Sequence, residues 1–120
     1  MGAAMWESDL SPHGVTLTFG AVSARIALEG SVDVATGVAL VDAATSAVSR
    51  FRFLDLDLAA VTSIDGPGVR SLIKIKRFAD AYGAIVSVVE ASPIAGEALV
   101  ASGLDADLGW TGSDRPVPGG

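Results

Sequence analysis

The chain has 120 residues, enough for one domain with one core and too few for two. Half of them are hydrophobic and 18% are charged, which excludes a disordered body, and the lack of cysteine excludes disulfides, thiolate metal ligands and a cysteine nucleophile. A formal charge of −6 speaks against nucleic acid, which is bound by neutralising phosphates with Lys and Arg.

Residues 1–13 read as a flexible leader. The opening MGAAMWESDL has neither the basic stretch nor the apolar run of a signal peptide. No apolar run in the chain approaches the roughly 20 residues that span a bilayer. Together with the missing cysteines, this leads us to expect a cytoplasmic protein without direct membrane insertion.

Residues 15–19 and 22–28 are rich in β-branched side chains, and Gly20 and Ala21 lie between them, which predicts an opening hairpin. In the second run Val22, Ala24, Ile26 and Leu28 share one face, while Ser23, Arg25 and Glu29 take the other. The period changes after EGSVD. Leu40, Val41, Ala44, Ala47 and Val48 recur at helical spacing, with Thr36 as a plausible N-cap. FRFLDLDL, residues 51–58, predicts a strand with its core at 53–58. A helix follows over 68–82, and Gly83 supplies the left-handed residue that ends it. AIVSVV, residues 84–89, reads as a strand covered on both faces. Ser92 and Pro93 form a cap and first-turn pair for a last helix that stops at Gly103. TGSDRPVPGG, residues 111–120, reads as a disordered tail.

The order β-β-α-β-α-β-α over 14–110 predicts an α/β domain. Its sheet is small and mixed, opened by a hairpin and continued through right-handed crossovers, with helices packed on it.

The join TSIDGPGVRSL concentrates the unusual backbone chemistry. Asp65 sits where a strand hands over to a helix, so its carboxylate suits N-capping. Pro67 fits a first turn, where N–H groups lack intrahelical partners, and Gly66 and Gly68 permit close backbone approach. Local chemistry also allows an anion site at a helix start, but spacing favours the capped corner. A phosphate-binding loop is excluded, since no lysine follows the glycines at the required spacing.

Of eight Lys and Arg, four (Arg70, Lys74, Lys76 and Arg77) fall within residues 70–77. On that helix Leu72, Ile75 and Ala79 form a core stripe flanked by Phe78 and Tyr82. Arg70, Lys74 and Arg77 occupy another face, which reads either as a solvated surface or as a basic stripe for an acidic partner. His13 is the only histidine and lies in the leader, so no Ser-His-Asp set and no multi-histidine metal site is available. Asp55 and Asp57 alternate onto one strand face and read as structural. With no nucleophile–base pair visible, we expect no enzyme, no cofactor and no metal.

LDLAAVTSIDGPGVRSLIKIKRFADAYG resembles the signature of the STAS domain, the fold of bacterial anti-anti-sigma factors (anti-sigma factor antagonists). LEGSVDVATGVAL is similar to the family's segment before the first helix, and ASPIAGEALVASGLDADLGW to its last helix and Gly-Leu ending. The resemblance covers residues 14–110 and implies a STAS-like fold of the order above. It also implies partner switching in sigma factor regulation: the unmodified domain binds an anti-sigma factor that is itself a GHKL-type serine kinase. In such proteins that kinase phosphorylates a Ser or Thr at the second position after the turn Asp.

Carried over, Asp33 and Asp65 match the acidic positions beside the acceptor, and Gly66 and Pro67 fall where the two serines stand. Neither has a hydroxyl, so the usual switch is lost. Thr62, Ser63 and Ser71 remain as substitute acceptors. The partner-binding set implied is Asp33, Asp65, Gly66, Pro67, Gly68, Arg70, Ser71, Lys74 and Arg77, on a monomer or weak dimer. STAS domains also serve as cytoplasmic accessory subunits of lipid or anion transporters, which is the alternative role. A phosphoacceptor receiver domain is set aside, because the chain opens with a hairpin and its only lysines are Lys74 and Lys76.

Overall fold

The computed structural model describes residues 14–110, together with the backbone of residues 6–10. In chain order the elements are β1 (Trp6–Leu10), β2 (Val15–Phe19), β3 (Ser23–Val32), α1 (Val34–Val48), β4 (Phe53–Ile64), α2 (Gly66–Tyr82), β5 (Ile85–Ala91), α3 (Pro93–Ser102) and the single turn α4 (Leu104–Asp107). The five strands form one sheet in the order β1-β2-β3-β4-β5. β1–β2 and β2–β3 pair antiparallel, and β3–β4 and β4–β5 pair parallel. This is the mixed sheet expected of a hairpin followed by strand–helix–strand units.

Period-two alternation builds the core. Val15, Leu17 and Phe19 of β2 lie opposite Leu28, Ile26 and Ala24 of β3. These continue across to Leu54 and Leu56 of β4, and then to Val86 and Val88 of β5, and all of them are buried. Helix residues Leu40, Ala44 and Ala47 of α1, Leu72, Ile75 and Ala79 of α2 and Leu99 of α3 join the same core. Each fully buried aliphatic side chain contributes roughly 1.5–3 kcal/mol relative to exposure. Gly83 and Gly103 adopt φ of 72° and 78° and end α2 and α3 as the sequence predicts.

Several sequence expectations give way here. Trp6–Leu10, placed in a loose leader, pair along β2 from Trp6 on Phe19 to Leu10 on Val15. The rest of the leader and residues 111–120 lie outside the described residues. Val22 does not join the inward face of β3; it sits in the turn and is 66% exposed. β5 is buried on one face only, with Ile85 exposed, because it is the sheet's edge and its helices lie on one side. β4 runs six residues beyond the predicted end at Leu58, to Ile64.

That extension contains two register shifts against β3, so the inward phase moves from Leu54, Leu56 and Leu58 to Val61. Asp57 serves this stretch directly. One carboxylate oxygen accepts from the Ala59 N–H at 3.0 Å, and the other pairs with Arg25 at 2.9 Å across the outer sheet face.

Candidate functional site

Because β3 and β4 run parallel with Val32 opposite Ile64, the two helices that follow them start side by side. Each strand ends in an aspartate that caps the next helix. Asp33 is extended, with φ −123°, and its Oδ1 accepts from the Thr36 N–H at 3.1 Å. Asp65 is extended, with φ −107°, and its Oδ1 accepts from the Gly68 N–H at 2.8 Å. The Asp65 N–H in turn donates to the Val32 carbonyl at 3.3 Å, tying the two starts together. Two carboxylates thus face two positive helix ends at one end of the sheet. The hydrogen bond from the Thr36 N–H, opposed by desolvation, holds the Asp33 carboxyl below its ordinary pKa.

Thr36 was the expected cap and is not. It lies buried in the first turn, and its hydroxyl donates to the Ser31 carbonyl at 3.0 Å. Asp33 takes the cap because its extended backbone ends the strand three residues earlier.

Gly68 is a glycine for want of space: a Cβ there would overlap the Val32 carbonyl oxygen. Gly66 faces outward, where a Cβ would meet only the Arg70 Nη1 at 3.7 Å. Pro67 occupies the first turn of α2 and is half-buried. The corner therefore presents Gly66 and Pro67, neither of which carries a hydroxyl. Of the substitute acceptors, Ser71 donates to the Pro67 carbonyl at 3.1 Å and packs against Gly37 of α1. Ser63 donates to Ser31 at 2.9 Å, and Thr62 is exposed near the end of β4 before the corner.

From this corner a groove of about 480 Å³ runs between α1 and α2. Val34, Val38 and Val41 form one wall, and Pro67, Arg70, Ser71 and Lys74 the other. Arg77 does not line it, and Lys76 is paired with Asp80 at 2.8 Å. The structure thus brings Asp33, Asp65, Gly66, Pro67 and Gly68 together at the corner, with Arg70, Ser71 and Lys74 continuing along the groove. Sequence reasoning missed the α1 wall. Its signal was present: Val34 and Val38 lie one turn apart off the core stripe, and Val41, read with that stripe, packs half-buried against the core and lines the groove as well.

A family model described as "Mlab, STAS domain" matches residues 15–109. Among solved structures, the anti-sigma factor antagonist SpoIIAA in its unphosphorylated form superposes with a TM-score of 0.63 at 15% identity, covering 86% of this chain and 84% of that one. An anti-sigma factor antagonist from Mycobacterium paratuberculosis gives 0.61 at 21% identity, with 85% and 79% covered. Mglu gives 0.63 at 26% identity over 72% of this chain, which spans only 22% of Mglu's length. No curated sequence matches the chain significantly.

Proposed function

The chain belongs to the STAS-domain family, and from that premise we propose that it is an anti-sigma factor antagonist lacking the usual Ser/Thr phosphoacceptor. It is a non-enzymatic, cytoplasmic binding domain, monomeric or weakly dimeric, that docks an anti-sigma factor of the GHKL-type serine kinase class and needs no cofactor. The observation that carries the reading is the Asp65-Gly66-Pro67 corner, exposed at Asp65 and Gly66 and tied to the Val32 carbonyl at the end of β3, where the family presents its partner-binding surface. Among the described residues no helix is long and apolar enough to cross a membrane.

Phosphorylation at such a corner adds nearly two negative charges beside carboxylates and disrupts binding by repulsion and desolvation. Gly66 and Pro67 cannot accept a phosphoryl group, so the surface keeps its unmodified charge. We read the domain as constitutively competent to bind.

Affinity capture from native lysate, followed by mass spectrometry, is the first test, and a GHKL-type anti-sigma protein is the expected capture. Incubation of the captured kinase and ATP with the protein should leave its intact mass unchanged. A gain of about 80 Da, one phosphate, on the unaltered chain would remove the constitutive reading. Pro67→Ser should acquire that mass.

A second reading makes the domain an accessory subunit of a lipid or anion transporter. The missing hydroxyl favours it, since a constant subunit contact requires no phosphoswitch. Recovery of transporter subunits in place of a kinase would decide for it.

A further inference from the structure

The wall of α1 is the part of the groove that the family resemblance does not account for. Val34 and Val38 are 62% and 61% exposed, and with Val41 they follow the i, i+4, i+7 spacing of a helix-facing stripe. Two exposed valines one turn apart on a 15-residue helix make an apolar seam left open by the described residues.

Across the groove stand Arg70 and Lys74, also one turn apart and exposed. Neither makes an ion pair among the described residues, whereas Lys76 and Arg25 both do. In a chain of formal charge −6, this is a local pair of unneutralised cations beside an apolar seam. Asp42, at the far end on the α1 side, confines the positive character to the α2 side.

The geometry points to one occupant: an amphipathic helix of the partner protein. Its apolar ridge would lie on Val34, Val38 and Val41, and acidic residues along one flank would lie beside Arg70 and Lys74. A crease between two packed helices accepts a third helix ridge-into-groove, over a length of two turns. The charged flank sets which way round that helix lies, because reversing it brings its carboxylates to Asp42. This deepens the protein-binding reading above by naming the chemistry of the docked element.

The test needs no anti-sigma factor. A stapled amphipathic peptide of about 15 residues, near the length at which an isolated helix holds, carries Leu at i, i+4 and i+7. Glu occupies one flank and Gln the rest, and a second peptide has Lys in place of Glu. Both are titrated into isotopically labelled protein while amide shifts are followed by NMR. The Glu peptide should give saturable shifts centred on Val34, Val38, Arg70 and Lys74, and should weaken as salt is raised.

The double variant Arg70→Glu, Lys74→Glu should lose about tenfold in affinity for the Glu peptide and gain for the Lys peptide. Val38→Glu should abolish binding of the Glu peptide. All three positions are exposed, and circular dichroism checks that the fold is kept. Equal binding of the two peptides, shifts centred elsewhere, or no saturable shift would overturn the inference. So would a concentration-dependent dimer shifting the same amides, which would assign the groove to a second copy. Failure to capture a kinase would sink the proposed function and leave this result standing.

Discussion

Gly68 bears the tightest steric demand at the corner. A methyl group there would overlap the Val32 carbonyl oxygen, which is backbone and cannot rotate away, and would press on Ile64. Gly68→Ala should therefore destabilise the fold by about 1–3 kcal/mol, as overpacking does, read as a lower midpoint in urea with an unchanged slope. Gly66, two residues earlier, has open space, and Gly66→Ala should be close to neutral in the same measurement. Equal effects at the two glycines would show that the helix start is not held against β3 as described. Pro67 differs from both: its ring suits the first turn of α2, where the missing N–H breaks no intrahelical bond.

The helices α1 and α2 begin from adjacent parallel strands, and each start is neutralised by its own aspartate. The Asp33 carboxyl is held below its ordinary pKa by the Thr36 N–H, so the folded state binds its proton less readily than the unfolded chain. The sign follows. The cap's contribution is fully present above the unfolded pKa, about 3.9 for Asp, and is lost as pH falls through the lower folded value. Urea midpoints measured from pH 6 down to pH 2.5 should fall in the acid range, and Asp33→Asn, which keeps a capping oxygen without titrating, should flatten that fall. An unaltered slope in Asp33→Asn would assign the acid sensitivity to other carboxylates.

At the scale of the molecule, β3 and β4, among the described residues, are the only strands with parallel partners that are also flanked by strands on both sides, and their inward residues Ile26 and Leu56 are completely buried. The edge strand β5 is held on its far side near Val88, whose N–H donates to the Leu108 carbonyl at 2.7 Å. Native-state hydrogen exchange should place the amides of Ile26 and Leu56 among the slowest, with those at the Ile85 end of β5 faster. Slower exchange at Ile85 than at Leu56 would contradict a core centred on the β3–β4 pair.

Much of this molecule was legible in the residues alone. The alternation of β2 and β3, the core stripe of α2, the Ser92-Pro93 start and the stops at Gly83 and Gly103 all depend on neighbours within a few positions, and periodicity and capping report such neighbours directly. The same holds for the Asp65 cap at the corner. Other features hang on residues far apart in the chain. Asp33 displaced Thr36 as a cap because the end of β3 is set by its pairing with β4. β4 outran its predicted end because β3 continues alongside it, and Trp6–Leu10 became a strand because β2 offered an open edge. The groove exists only because two helices, each ordinary in sequence, start side by side and close on Gly37 and Ser71. Local sequence determined most of the elements and the stops of α2 and α3; strand pairing over long separations decided the register, the end of β4, the position of the α1 cap and the groove between α1 and α2.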